Sequence, residues 1–245
     1  MATKKAAAAK DSKVATRTDM APTIGELDAA EKRGKVESVS IPAPKFRIAE
    51  FEIVGTAPFV MHKFSQKAKN QIIGTQMAGS QAKGKKVREP KNFDEIYEGA
   101  KHLSKEGWCG IPAGAFRNAM ISACRTVGYK MTHAKLAAFV LQDGIDADDG
   151  TPLVRIYGEP RKHIAHARND NGSVDIRCRP MWEEWHATVR VRYDSEMFSH
   201  RDIVNLMMRV GQQVGIGEGR PDSKNSAGMG WGLFDLKAEV ADIAV

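Results

Sequence analysis

The sequence has few cysteines and no long apolar run. Its three cysteines, Cys109, Cys124 and Cys178, have no paired spacing, which excludes a disulfide framework and a zinc knuckle. No stretch approaches the roughly 18 uninterrupted apolar residues of a membrane helix, and the first residues lack the apolar region of a secretory signal. We therefore expect a cytoplasmic protein with reduced thiols and no membrane partner, in the host cytoplasm if the chain is phage-encoded.

Motifs for cofactors and catalysis are also missing. The glycine-rich segment contains no Gly-Lys-Ser/Thr, which argues against ATP. The segment follows a predicted helix, whereas a dinucleotide fingerprint precedes a helix, which argues against NAD. His163 and His166 have no cysteine or carboxylate at metal-ligand spacing. The acidic stretch 143–150 lacks the terminal Glu of a calcium loop and is typical of a solvated turn. No catalytic set can be assembled by spacing, so we expect no cofactor and no bound metal.

The excess of positive charge lies in one segment. Lys and Arg outnumber Asp and Glu by 37 to 30, a net charge of +7. The stretch from Val60 to Lys91 contains eight of the bases and one acid, Glu89, so the remainder of the chain is balanced. The eight bases of this basic window are Lys63, Lys67, Lys69, Lys83, Lys85, Lys86, Arg88 and Lys91.

Two interpretations of the basic window are open. Flexible cations among Gln, Asn, Gly and Ser suit contact with phosphates, and the flanking Phe59 and Phe64 suit stacking on bases. The alternative is a solvated surface loop that only keeps the protein soluble. We favour the first because the excess charge is so concentrated.

The pattern of apolar residues predicts an α+β domain. Residues 1–42 are typical of a disordered tail, and residues 43–245 form one domain with a basic insertion at about 60–91. A strand that ends near Gly55 is followed by a helix over 113–127, strands over 135–143, 153–157, 174–179 and 185–193, a helix between Ser199 and Gly215, and a strand over 231–240. This order predicts a ferredoxin-like (RRM-like) β-α-β-β-α-β core with insertions.

The predicted sheet has both helices on one face and an open face on the other. In the run from Trp185 to Tyr193, apolar residues alternate with His186, Thr188, Arg190 and Arg192. We expect Arg190 and Arg192 on the open face, where single strands lie on many nucleic-acid-binding sheets.

A glycine-rich loop precedes the last strand. Residues 215–232 contain six glycines together with Arg220 and Lys224. Glycines let backbone amides come close to a phosphate, and the two cations add charge. The alternative is a connection that only needs backbone conformations open to glycine. Trp231, at the end of the loop, is a candidate for stacking on a base.

Two stretches resemble known families. Gly110-Ile-Pro-Ala-Gly-Ala-Phe together with the glycine-rich loop resembles the signature pair of the RAMP superfamily, which includes the backbone proteins of CRISPR effector complexes. The chain from Phe46 to Leu236 also resembles a family of largely uncharacterised phage and prophage proteins. The stretches that carry this likeness begin at Gly55 (GTAPFVMHKF), Gly110 (GIPAGAF), Tyr157 (YGEPR), Arg179 (RPMWEEW) and Val214 (VGIGEGRP).

The RAMP likeness implies a position for bound RNA. It places the RNA backbone near Arg117 and Arg125 on the first helix and near Gly217, Gly219 and Arg220 in the loop. The chain differs from that pattern at Ala113-Gly-Ala, where serines are common, so the resemblance does not imply hydroxyl contacts to phosphate there.

These observations together predict a single-stranded nucleic-acid-binding protein that is not an enzyme. The polymer is RNA or single-stranded DNA, and self-association along the strand is expected from the resemblance. One alternative is a metal-independent endoribonuclease with His62 or His102 as general base. Another is a phage structural or assembly protein.

Overall fold

The computed structural model describes residues 41–64, 66–78, 90–168, 174–223 and 228–244. The compact unit is Pro44–Val245. The expected tail lies outside the described residues as far as residue 40. The ten strands are β1 (Phe46–Gly55), β2 (Phe59–Val60), β3 (Gly110–Pro112), β4 (Ala138–Val140), β5 (Gly144–Ile145), β6 (Pro152–Tyr157), β7 (Pro160–Arg168), β8 (Val174–Trp182), β9 (His186–Asp194) and β10 (Phe234–Ala244). The five α-helices of the described residues are α1 (Gln66–Ala78), α2 (Phe93–Gly99), α3 (Ala113–Ala123), α4 (Met131–Ala137) and α5 (His200–Arg209).

An antiparallel sheet forms the centre of the fold. Its strands lie in the order β10, β1, β9, β6 and β3. β4 pairs with the end of β9 near Tyr193, and β6 pairs with its beginning near His186. The edge of β9 is therefore covered by two short strands, and the chain between them makes an excursion that contains β5. The α+β class predicted from the sequence is confirmed.

The core lies on one face of this sheet. Burial along β9 alternates, with Val189, Val191 and Tyr193 fully buried and the residues between them partly exposed. α3 and α5 contact each other on the buried side. α5 begins at the predicted capping box, in which Ser199 and Asp202 exchange hydrogen bonds between side chain and backbone. The predicted inward stripe of α5, from Ile203 onward, is buried.

A second, three-stranded sheet consists of β2, β8 and β7. β7 and β8 form a long hairpin, and β2 pairs with the end of β8 through Phe59 and Trp182. β7 was not predicted from the sequence, because its small and polar residues show no clear apolar alternation.

One predicted strand begins later than expected. The segment expected as a strand over 135–143 starts as helix α4, and only Ala138–Val140 is extended. Ala134 and Ala137, three residues apart, are both buried on the same side of the helix. Among the helices that the structure describes, none is both long and apolar enough to cross a membrane.

Candidate nucleic-acid interface

A cavity of about 710 Å³ lies between the start of α3, the end of β2 and the glycine-rich loop. It brings together positions that the resemblance implied lie near one bound RNA: the turn at Pro112, Arg125 on the turn that follows α3, and Gly217 and Arg220 in the loop. The two histidines proposed as general bases also line it. Segments far apart in the sequence therefore face one space. The polar and charged residues of the lining are His62, His102, Asn118, Ser122, Arg125, Lys135, Glu218, Arg220 and Asp222.

The loop is held against β2 by close backbone packing. All six of its glycines have positive φ angles. At Gly217 (φ 76°) an added Cβ would lie 2.5 Å from the Phe59 ring and 2.7 Å from the Val60 carbonyl oxygen. The Glu218 amide donates to that same oxygen at 3.0 Å. At Gly219 a Cβ would lie 2.5 Å from the Trp231 ring, so both glycines are required for packing.

The charges of the cavity wall leave two cations without an acid partner. Asp222 pairs with Arg125 at 2.7 Å, and Glu218 pairs with Arg179. Arg220 instead donates to the Gly217 carbonyl oxygen at 2.9 Å, and Lys135 is exposed. Within the described part of the chain, neither Arg220 nor Lys135 has a carboxylate partner. Sequence reasoning missed Lys135 because its segment was expected to be a strand, whereas it lies in helix α4 beside the cavity.

His102 pairs with the buried carboxylate of Asp146. Its Nδ1 lies 2.7 Å from an Asp146 carboxylate oxygen whose side chain is fully buried. Burial acts to raise the pKa of Asp146, but hydrogen bonds from Lys63, the Asp148 amide and His102 outweigh it and hold that pKa below its usual range. A carboxylate at Nδ1 favours the tautomer whose Nε2 is free to accept a proton.

His62, in contrast to Asp146, has mainly positive charges near it, and they act on its pKa. Its Nδ1 is 3.6 Å from a carboxylate oxygen of Glu218. Burial and the positive charges of Arg179 and Arg177 lower the pKa of His62, and Glu218 offsets this only in part. A neutral imidazole is therefore favoured at this position.

The structure corrects the role expected for Lys63. Its side chain is only 5% exposed, and the ammonium donates to Asp146 at 2.8 Å and to Asp148 at 2.6 Å. Lys63 is thus a buried ion-pair partner and not a contact for an external phosphate. Lys69 pairs with Asp149 at 3.1 Å, and Lys91 pairs with Asp175. The acidic stretch 143–150, expected to be merely solvated, thus binds lysines of the basic window.

The other cations of the basic window remain predictions. Lys67 lies in α1, and its side chain falls outside what the structure describes. The same holds for the whole of Lys83, Lys85, Lys86 and Arg88, and for Lys224 in the loop. Every basic side chain of the window that is described, namely Lys63, Lys69 and Lys91, is ion-paired within the chain.

The three aromatic residues proposed for stacking have different environments. Phe59 is 1% exposed and packs against Trp182 and Trp185, so the expectation that it stacks on a base is wrong. Phe64 is half exposed. Trp231 is partly buried and meets the His163 ring edge to face at 5.4 Å. Of the three, only Phe64 and Trp231 present ring surface to solvent.

The arginines expected on the open face of the sheet do lie there, but in contact with other groups. Arg190 binds Asp143 at 2.8 Å, and the Arg192 guanidinium lies over the rings of both Phe46 and Phe139. Arg117, from α3, stacks on Phe139 and donates to the Ala138 carbonyl oxygen. On β1, Glu50 is the residue directly opposite Arg190. This face therefore carries both signs of charge.

One group of side chains has the donor types of a metal site. Ligand atoms of His102, Asp146 and Asp149 lie within 4.8 Å of one another. The ammoniums of Lys63 and Lys69 already donate to these two carboxylates. The carboxylates thus accept hydrogen bonds from lysines, which suits an internal ion-pair cluster.

Comparison with known proteins adds no assignment. No protein-family model matches the chain, and none of the curated proteins matches it significantly.

Proposed function

We propose that this protein binds single-stranded nucleic acid and that the cavity beside α3 accepts the phosphate backbone. One observation carries the proposal: Arg125, Gly217 and Arg220, named from separate parts of the sequence, line a single cavity with Lys135. Arg220 and Lys135 are positive groups without an acid partner among the described residues, so they are available to a phosphate. The glycine-rich loop adds Gly217 to the lining, a position where no side chain separates the backbone from a phosphate.

The fold proposed with this function is a ferredoxin-like core with insertions. β1, α3, β6, β9, α5 and β10 follow one another in the β-α-β-β-α-β order of that fold. The hairpin of β7 and β8 and the short strand β4 count as insertions. The likeness to RAMP and phage proteins belongs to the same proposal, and self-association along a strand stays a prediction.

We expect binding that weakens steeply with salt. Fluorescence anisotropy of a labelled single strand, measured at several salt concentrations, gives the slope of log affinity against log salt. Replacing both Lys135 and Arg220 by alanine should lower the affinity about tenfold and make this slope shallower by about 0.7 for each phosphate that the protein no longer neutralises. The matched control is Arg201→Ala, which removes an exposed arginine of α5 that does not line the cavity.

Two results would count against the proposal. The first is wild-type protein that shows no shift with single-stranded RNA or DNA at low salt. The second is a double variant that binds as tightly, and with the same salt slope, as Arg201→Ala.

The endoribonuclease is a second candidate because of the His102–Asp146 pair. A histidine oriented through Nδ1 can take a proton from a ribose hydroxyl through Nε2, and His102 lines the same cavity. For this candidate, labelled RNA incubated with the protein in chelator should be cleaved, and His102→Ala should abolish the cleavage while retaining RNA binding. RNA that stays intact with wild-type protein leaves binding as the function.

A further inference from the structure

Four planar side chains form a continuous row across the open face of the main sheet. The guanidinium carbon of Arg155 lies 5.8 Å from the ring centre of Trp108 and 4.9 Å from that of Tyr157. The ring of Tyr157 is in turn stacked on His186, with centroids 4.9 Å apart and planes 7° from parallel. The row thus runs from Trp108 through Arg155 and Tyr157 to His186.

Strand register places these side chains together. Tyr157 on β6 lies directly opposite His186 on β9, and both are exposed, whereas their neighbours Ile156 and Ala187 are buried on the other face. Arg155, two residues earlier on β6, shares the face of Tyr157 because side chains alternate along a strand. Strand positions therefore place three of the four side chains of the row, namely Arg155, Tyr157 and His186.

Two glycines, Gly110 and Gly144, lie directly against the Trp108 ring at the other end of the row. A Cβ at Gly110 would come within 2.9 Å of the Trp108 ring, and one at Gly144 within 2.7 Å. Only glycine at these two positions lets the indole lie across β3 and β5, where Arg155 reaches it.

The row ends at His186 with an open aromatic surface. The residue opposite His186 on β1 is Val54, an aliphatic side chain that is 38% exposed. Tyr157 covers one face of the imidazole, and no ring covers the other face from the Val54 side among the described residues. Val54 and His186 are thus neighbouring exposed side chains, one aliphatic and one a ring, and such a surface suits a flat, apolar-faced group.

The charges beside this surface favour a base over a phosphate. Glu52 precedes Val54 by two residues on the same face, and Glu50 lies opposite Arg190. Carboxylates repel phosphate but accept hydrogen bonds from the N–H groups of bases, including the ring N–H of thymine. We infer that a nucleobase of a bound single strand stacks on His186 above Val54, an inference that rests on the proposed function and adds a second contact site to it.

The two sites are joined by one edge of the sheet. Ile111 and Pro112 of β3 line the phosphate cavity, and Trp108, which begins the row, lies two residues before β3. A single-stranded nucleic acid that leaves the cavity past the edge of β3 therefore reaches the row on the open face.

The test compares two single-stranded probes of about twelve nucleotides, a length within the usual site sizes for single-strand binding. One probe consists of thymidines, and the other has the same phosphates but abasic sugars. His186→Ala should weaken binding of the thymidine strand about tenfold, a typical loss for one stacked base, and leave binding of the abasic strand unchanged. His186→Phe keeps a ring at this position and should restore binding of the thymidine strand. Because His186 is exposed, the variants should unfold at the wild-type temperature, which a thermal melt checks.

The possible failures are distinguishable. If wild-type protein prefers the thymidine strand but His186→Ala keeps that preference, the base is bound elsewhere and the inference is overturned. Equal wild-type affinity for the two strands also overturns it, because no base is then contacted, although phosphate binding in the cavity stands. If wild-type protein binds neither strand, the proposed function fails, and the inference fails with it.

Discussion

Replacing Lys63 by alanine is expected to lower the free energy of unfolding by about 3–5 kcal/mol, the usual cost of leaving a buried charge without its partner. The Lys63 side chain is 5% exposed, and the Asp146 carboxylate it binds at 2.8 Å is fully buried. Burial acts to lower the pKa of Lys63, but the hydrogen bonds and charges of Asp146 and Asp148 outweigh it and raise that pKa. The pair is thus charged across the physiological range, and the effect of removing it is measured by chemical denaturation at neutral pH.

Lys69→Ala provides the matched control. Lys69 belongs to the same basic window, and its pair with Asp149 has side chains 31% and 25% exposed. Water and salt screen such a pair, so we expect the free energy of unfolding to fall by less than about 1 kcal/mol. Equal denaturation midpoints for the two variants would contradict the structural role of Lys63. Because Lys63 belongs to the basic window, we also expect deletion of residues 63–91 to destabilise the fold.

Phe59→Ala is expected to cost about 3–5 kcal/mol, the range for removing a fully buried aromatic side chain. The Phe59 ring centre lies 5.7 Å from that of Trp182 and 5.6 Å from that of Trp185. It also contacts the backbone at Gly217, so the cavity left by its removal adjoins the glycine-rich loop. Urea unfolding measures the change in stability. The order of the loop is measured by hydrogen exchange at the Glu218 amide, and we expect the exchange rate to increase in the variant.

Phe64→Ala is the control for Phe59→Ala. Phe64 lies five residues further along the chain and is 50% exposed. Its replacement should change stability by no more than about 0.5 kcal/mol, because a surface side chain leaves no cavity. If Phe59→Ala were equally mild and instead weakened binding of a single strand, the assignment of Phe59 to the core would be refuted.

The helices and strands that are set by residues close together in the sequence were predicted from local patterns. The capping box at Ser199 and the alternation along β9 are set by neighbours in the sequence, and both are present as predicted. The helix expected over 113–127 forms as α3 followed by a 3-10 turn that ends at Val127. The start of α4 and the whole of β7 were missed, since short segments with small or polar residues take their structure from what they pack against.

The candidate site was predicted in part. Arg125, Gly217 and Arg220 were named from a resemblance, and the structure brings them to one cavity. Lys135 and the row that ends at His186 were not found. Their positions depend on which helix and which strands become neighbours, and the sequence carries no short-range signal for that.

The sequence alone determined the α+β class, the concentration of excess charge in one segment and the glycine content of the loop. Only the tertiary structure decided which members of each set are available to a ligand. Lys63 and Lys69, or Phe59 and Phe64, are equivalent when judged by composition. They differ because distant residues bury one member of each pair and leave the other nearer to solvent. Asp146, 83 residues beyond Lys63, binds Lys63, and Trp182 and Trp185 pack against Phe59. Burial is set by such long-range contacts, and burial decides whether a charge or a ring stabilises the fold or binds a partner.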